Sequence, residues 1–448
     1  MIIMARILTP ADYGLIGMIA IFLAVSQSLI DSGFSQALIR KQDRSEIDNS
    51  TVFYFNILIG AALYLILYFS APYIAVFYKE PLLTPITRVV CLSLIFNSLG
   101  VVQRALYTTT LNFKTQAKAT FLGAVISGAV GITMAYRGFG VWSIAIQQIT
   151  NTFITNLCLW IFSKWRPILR FSKQSFQVLF GFGSKLMVSG LIDTVYRNMY
   201  LIVIGKFFKA SDLGYYTRAH QFCDFASSNF TGIFQRVSYP VLCTIQNDDE
   251  RLRDVYRRML KISAFVIFPL MTGMAAVACP LISTILTQKW ISAATILQIL
   301  CIAQMWYPVH AINLNLLQVK GRSDLFLKLE IAKKIVGVSM LCITLPFGLI
   351  PVCWGVLANS IIALVINTYY TGKLIRLGFM AQMRDLLPSF LLSIITGFSV
   401  WITLQLLSIA PVWQLIIGVI EGTAIYTGIA YIFKFKEFQE LADIIHKR

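Results

Sequence analysis

The chain has 448 residues, 57% of them hydrophobic and 13% charged, with a formal net charge of +18. That much apolar surface exceeds what one soluble core can bury, so the composition excludes an ordinary soluble domain and indicates a polytopic membrane protein. The positive charge does not indicate nucleic acid, because the basic residues sit in short loops between apolar runs, where the positive-inside rule expects them. The eight cysteines lie mostly within apolar runs without metal-ligand spacing, and read as small packing residues, not as a disulfide frame.

Each hydrocarbon crossing takes about 20 apolar residues as helix. In chain order this predicts a stub over 1–8, then spans over 13–39, 49–78, 83–108, 117–136 and 139–162. A basic linker, SKWRPILRFSKQ, covers 163–174. Further spans are predicted over 180–208, 213–242, 256–286, 293–318, 325–346, 351–371, 386–407 and 412–433. The fold class is thus an all-α polytopic membrane protein with 14 helices in the full pattern, the first truncated. The N-terminus lacks the charged region and small-residue site of a cleavable signal peptide.

Two stretches are copies of each other. ARILTPADYGL at 5–15 aligns without a gap to GKFFKASDLGY at 205–215, pairing Arg6 with Lys206, Asp12 with Asp212 and Gly14 with Gly214. In both, a basic residue ends one apolar run, turn-formers follow, and Asp-x-Gly opens the next run. An Asp at a helix start offers a carboxylate to unpaired backbone N–H groups, and Gly allows another backbone to approach closely. The bland alternative is chance similarity between two turns; the repeat instead predicts two homologous, pseudo-symmetric halves facing each other. The expected domains are an N-terminal lobe over 1–162, a basic linker over 163–179, a C-terminal lobe over 180–372, and 373–448 with the last two helices and a tail. The span before Lys206 is full length whereas its counterpart before Arg6 keeps five residues. The expectation is that about 20 residues of the first helix lie upstream of the start given, or that the chain is a fragment.

Loop charge predicts orientation. Of the 38 Lys and Arg, 27 fall in alternate loops and the C-terminal tail, seven on the other face, and four, Lys185, Arg197, Arg218 and Arg236, inside predicted helices. That bias places the C-terminus in the cytoplasm. The outer loops are short, ITLPFGLIP for example, and leave no room for the outer catalytic domain of a lipid-linked sugar polymerase or ligase. No loop carries a Gly-rich phosphate cradle, paired metal ligands or a nucleophile–base set, so no catalytic residue, metal or cofactor is expected.

Charged side chains inside a membrane cost about 2.5–3.5 kcal/mol at mid-span on insertion scales, and normally face a partner or a wet cavity. Over 213–242, Arg218, Phe222, Phe225, Asn229 and Arg236 share one helical face and span about 27 Å at 1.5 Å per residue. This is an aromatic, cationic wall suited to an anionic head group; the alternative is two arginines snorkelling to opposite interfaces. His220 and Asp224 lie on the other side as a helix-surface pair. Asp193 and Arg197 repeat that four-residue spacing. Gln27, Asp31 and Ser35 form a polar stripe in which Asp31 lacks a local cation, making it the candidate switchable carboxylate. Glu421 sits mid-way along the last span, either protonated or facing another helix. The ion-coupling candidates are therefore Asp31, Asp193, Asp224 and Glu421; the substrate candidates are Gln27, Arg197 and the wall residues.

LTPADYGL, RNMYLIVIGKFFKASDLGYYTRAHQF, QRVSYPVL, IQNDDERLRDVYRRMLK, FPLMTGMAAVA and LLQVKGRSDLFLKLE together resemble the Wzx-type oligosaccharide flippases of bacterial polysaccharide export. These belong to the multidrug, oligosaccharidyl-lipid and polysaccharide exporter superfamily, and the similarity covers essentially the whole chain. The resemblance implies two six-helix lobes around a V-shaped lumen lined by helices 1, 2, 7 and 8, with two extra C-terminal helices. It implies alternating access that moves a polyprenyl-diphosphate-linked oligosaccharide to the outer leaflet of the bacterial inner membrane, for O-antigen, capsule or exopolysaccharide assembly. The implied partners are that lipid-linked oligosaccharide, membrane lipids, and the polysaccharide polymerase and chain-length machinery. The alternatives are a cation-coupled drug exporter on the same scaffold, which should carry more acidic residues in its lumen, and a non-transporting or enzymatic assembly component. The charge bias makes one prediction: reporters fused after Lys173 and after Arg376 read cytoplasm and one after Leu349 reads the outside. A periplasmic signal after Lys173 contradicts the assignment.

Overall fold

The computed structural model describes residues 2–31, 33–41 and 43–446. Among the described residues the regular structure is helical, and the chain divides into two compact units, Met1–Gly214 and Tyr215–Arg448.

The first unit holds α1 (Ile2–Ile7), α2 (Pro10–Asp31), α3 (Phe34–Arg40), α4 (Glu46–Tyr78), α5 (Leu83–Val90), α6 (Leu92–Leu99), α7 (Val101–Thr109), α8 (Phe113–Tyr136), α9 (Val141–Phe162), α10 (Lys173–Phe207) and the first turn of α11 (Ala210–Thr244). The repeat sits at two helix starts. Asp12 Oδ2 accepts from the Thr9 backbone N–H at 2.9 Å and the Thr9 hydroxyl at 2.7 Å, while the Asp12 N–H donates to Thr9 Oγ1 at 3.3 Å. In the second copy the Lys209 N–H donates to Asp212 Oδ2 at 3.3 Å. These bonds satisfy donors that a helix start leaves open. The glycines explain themselves in the same place. A Cβ on Gly14 would fall 1.7 Å from the Ala210 carbonyl oxygen, and one on Gly214 would fall 1.9 Å from the Pro10 carbonyl oxygen. Residues 10 and 14 therefore exchange the same backbone contact with residues 210 and 214, as equivalent partners across a two-fold crossing would.

Small residues set another close contact of this unit. Ala119, Gly123, Ser127, Gly131 and Ala135 recur every fourth residue on α8 and are all buried. A Cβ on Gly123 would meet Thr155 Oγ1 at 2.1 Å, and one on Gly131 would meet the Gln147 side chain at 2.9 Å, so α9 lies antiparallel in that groove. Residues 163–172 fold back on the start of α4: the Ile168 N–H donates to Ser50 Oγ and the Ser172 N–H to Thr51 Oγ1, each at 3.0 Å. α10 then begins at Lys173, seven residues before the apolar run that predicted it, and Phe176 and Phe180 pack against Phe34 and Phe55.

The second unit holds the rest of α11 with α12 (Asp249–Ala276), α13 (Ala278–Ile285), α14 (Ser292–Gln304), α15 (Tyr307–Val319), α16 (Ser323–Thr344), α17 (Leu349–Ile375), α18 (Phe379–Leu406), α19 (Pro411–Ile432) and α20 (Lys436–His446). A buried polar network joins three of them. Asn313 on α15 and Gln382 on α18 exchange amide hydrogen bonds at 3.0 Å in both directions, and the Thr371 hydroxyl of α17 donates to Asn313 Oδ1 at 2.7 Å. His310, a turn earlier on α15, lies 3.1 Å from Ser360 Oγ and 3.2 Å from Asn367 Nδ2, both on α17.

Several predicted spans are broken or bent, and at four of these interruptions side chains take up the freed carbonyls. Pro72 in α4 leaves the Tyr68 carbonyl without its helical donor, and Arg88 Nε supplies one at 3.3 Å. Pro269 in α12 does the same to Phe265, whose carbonyl accepts the Tyr426 hydroxyl at 2.8 Å. The 83–108 span is three helices, bent by 41° between Leu83–Leu99 and Val101–Thr109. Arg104 Nη2 donates to the Asn97 carbonyl at 3.1 Å and Trp160 Nε1 to the Leu99 carbonyl at 2.9 Å. At the α14–α15 break, Ser360 and Ser227 hydroxyls donate to the Ala303 and Gln304 carbonyls at 2.9 and 3.0 Å.

Among the described residues eight helices are long and apolar enough to cross a membrane, or nine if the bent 83–109 pair is one span. This is fewer than the thirteen full spans expected. The helices α9, α10, α11 and α16 occupy predicted spans but fall outside that set, and the polar and charged residues along them explain why; α13 is only 8 residues long. The glycine crossing predicts that Gly14→Ala and Gly214→Ala each destabilise the chain by about 1–3 kcal/mol, read as a lower melting temperature in detergent. Gly128→Ala and Gly232→Ala, where an added Cβ meets nothing within 4 Å, should be neutral or stabilising. Equal behaviour of the two pairs would contradict the crossing.

Candidate functional site

The most connected polar site in the first unit is built on the kink at Gly100. Gly100 has no room for a side chain, because a Cβ would lie 1.6 Å from Asn156 Oδ1. Asn156, buried on α9, fills that space and accepts from Arg104 Nη1 at 3.2 Å. Arg104 thus holds a helix carbonyl and a buried amide at once, while its own carbonyl accepts from Gln116 Nε2 on α8 at 3.2 Å. Asp31 at the end of α2 lies within electrostatic range of Arg104 without an ion pair between them, and Gln27 Nε2 approaches Asp31 Oδ1 at 3.4 Å. The site gathers one guanidinium, one carboxylate and three side-chain amides from four elements.

Two expectations change here. Asp31 lacks a local cation on its own helix, and Arg104 on α7 comes within electrostatic range of it. Arg104, one of the 27 basic residues that the loop-charge count assigns to alternate loops and the tail, is half-buried on α7 and makes contacts to α6 and α9. The signal that finds it is the Gly100-to-Arg104 spacing of one helical turn within an otherwise apolar run.

The other candidates are dispersed. Asp193 and Arg197 do pair, Nε to Oδ2 at 2.7 Å, and both are substantially exposed. On α11 the aromatic wall divides. Arg218 is 8% exposed with Nη1 on Gln221 Oε1 at 2.7 Å, Phe222 is half-buried, and Phe225, Asn229 and Arg236 are exposed. Asn229 Nδ2 bonds back to the Phe225 carbonyl at 2.7 Å. Asp224 is exposed and faces His220, whose ring stacks on Tyr216 at 5.9 Å. Glu421 faces another helix: one carboxylate oxygen accepts the Ser399 and Thr403 hydroxyls of α18 at 3.0 and 2.9 Å. The Lys185 side chain lies outside the described residues.

Residues 3–295 match the model of a family described as polysaccharide biosynthesis protein. The chain belongs to that family. It is 26% identical over 407 residues to the teichuronic acid biosynthesis protein TuaB of Bacillus subtilis (strain 168), covering 90% of this chain and 84% of TuaB. It is 24% identical over 376 residues to the lipopolysaccharide biosynthesis protein WzxC of Escherichia coli (strain K12), covering 82% of this chain and 75% of WzxC. Its fold matches that of a lipid II flippase, MurJ, in an inward closed conformation, with a TM-score of 0.78 at 16% identity over 98% of this chain and 96% of that one. The family resemblance read from the sequence therefore holds, as does the all-helical, multi-pass membrane class. 

The Arg104 site makes a prediction about coupling. Arg104→Gln leaves the Asn97 carbonyl and Asp31 without their cation and should destabilise by about 1.5–3 kcal/mol. With Asp31→Asn added, the two changes should deviate from additivity by about 0.5–3 kcal/mol in a double-mutant cycle on melting temperature. Strict additivity would show that the two charges do not share a site.

Proposed function

We propose that this chain is a flippase, a transporter and not an enzyme, that carries a polyprenyl-diphosphate-linked oligosaccharide from the inner to the outer leaflet of a bacterial inner membrane during surface polysaccharide assembly. The observation that carries this reading is the set of arginines held along helices of a membrane-protein fold, Arg104, Arg197 and Arg218, in a member of a polysaccharide biosynthesis family. Supporting it are the names of its relatives and the likeness of its fold to a lipid II flippase.

The task explains the chemistry. A diphosphate and several sugars do not cross about 30 Å of hydrocarbon unaided, whereas a basic, wet path holds the head group while the prenyl tail stays in lipid. Alternating access then moves the opening across a fixed site. Guanidinium suits the work because its planar fork makes two charge-assisted bonds to one phosphate and stays ionised throughout. In this reading Arg197 and Arg218 each contribute head-group contacts, with Phe222, Phe225, Asn229, Arg236 and Gln27 along the path and Asp31, Asp193, Asp224 and Glu421 available to ion coupling. The full pattern is 14 helices in two six-helix lobes plus two, the C-terminus is cytoplasmic, and the polymerase and chain-length machinery act downstream.

The test is complementation of an export-deficient strain, normalised to protein level in the membrane. Arg218→Ala and Arg197→Ala should each lower export by about tenfold to a hundredfold, the loss of one charge-assisted phosphate contact. Restoration by Asp193→Ala with Arg197→Ala would reduce Arg197 to a partner of Asp193, and full export by Arg218→Ala would remove it from the path.

A further inference from the structure

Where α12 begins, α17 ends and α18 begins, the second unit forms an open cavity of about 570 Å³ lined by Arg253, Arg257, Arg376 and Arg384, with Asp385 and Met380. Four guanidinium groups meet one carboxylate there, and that carboxylate is already committed. Asp385, its side chain 6% exposed, receives Arg257 through both oxygens at 2.7 Å and has Lys261 Nζ at 3.4 Å. Arg253 has only its sequence neighbour Asp254, at 4.0 Å. Among the described residues, no carboxylate pairs with Arg376 or Arg384. The cavity keeps an excess of positive charge, with the Arg257 fork committed to Asp385 and those of Arg376 and Arg384 available.

The backbone holds this arrangement at a cost. Arg376 closes α17 in the left-handed region, φ 57° and ψ 31°, where glycine is cheaper. The turn after it is tight: a Cβ on Gly372 would lie 3.0 Å from Gly378 Cα. That turn puts Arg376 and Arg384 on the wall of one cavity. Arg384 also belongs to a second feature. Met380, Leu387, Leu391, Ile395, Phe398 and Ile402 are exposed and share its face of α18 by helical spacing. The charged cavity therefore opens directly onto an apolar, outward-facing strip of a membrane-length helix.

We propose that this cavity binds the phosphate of a membrane lipid, with the lipid chains along the α18 strip. Planar guanidinium forks match phosphate oxygens, and an adjoining apolar strip distinguishes an amphiphile from a soluble anion. The inference is independent of transport. Two sources share the chemistry, an anionic phospholipid of the bilayer and a lipid diphosphate, and the test separates them.

The full chain, purified in detergent, is titrated with phosphatidylglycerol, phosphatidylcholine, polyprenyl diphosphate and inorganic pyrophosphate, and binding is read from melting-temperature shifts. Phosphatidylglycerol or polyprenyl diphosphate should bind more tightly than phosphatidylcholine, and whichever binds identifies the source. Arg376→Gln with Arg384→Gln should weaken that binding at least about tenfold. Lys114→Gln with Lys118→Gln, an equal charge change on exposed residues of the first unit, should leave it unchanged. Arg376→Gly separates binding from folding: it relieves the left-handed backbone, so the unliganded melting temperature should hold or rise while binding falls. Equal loss in both double variants, or loss in neither, would overturn the site. Pyrophosphate binding as tight as that of the lipid diphosphate would overturn the lipid assignment.

Discussion

In a bilayer every backbone polar group has to find its partner within the protein, and the irregularities of this chain are placed where that is possible. Pro72 and Pro269 each strip a carbonyl of its helical donor, and Arg88 and Tyr426 take them. The breaks at Gly100 and between α14 and α15 expose carbonyls that receive Arg104, Trp160, Ser360 and Ser227. A helix can therefore bend without leaving an orphan acceptor, which would cost about 1–3 kcal/mol if buried. The side chains that repair the bends are also those that bring polarity into the membrane-spanning layer.

Arg104 shows how repair and function converge. It is positioned by a structural need, the Asn97 carbonyl, and once there it gives the buried Asn156 amide a fixed donor. A guanidinium held by the Asn97 carbonyl and the Asn156 amide is preorganised. The network of His310, Asn313, Asn367, Thr371 and Gln382 in the second unit is different in kind. Its amides and hydroxyls largely satisfy one another, which suits a rigid support for the helices around it.

What the amino-acid sequence made legible was whatever depends on local spacing. The Asp-x-Gly repeat could be read because capping and close approach are both decided within one helical turn, and the structure shows each copy doing both. The family could be read from long matched blocks. The breaks inside apolar runs could not, since Gly100 kinks its helix around Asn156, 56 residues away in sequence. The start of α10 was placed late because apolar content marks where hydrocarbon begins, not where helix begins. Glu421 was ambiguous for a similar reason: its hydroxyl partners lie on the preceding helix, 18 and 22 residues earlier. Four predicted spans, α9, α10, α11 and α16, are helices too polar to count as simple crossings.

The central claim is that the chain moves a lipid-linked oligosaccharide across a bilayer without chemical change. The most direct measurement reconstitutes the purified chain in vesicles with a polyprenyl-diphosphate oligosaccharide in both leaflets, and follows the fraction accessible to a membrane-impermeant sugar-modifying reagent. The account predicts that accessibility rises from about half in protein-free vesicles towards completion with protein, with the diphosphate linkage intact. Accessibility that stays at the protein-free level under every imposed ion gradient, or release of free oligosaccharide, would contradict it.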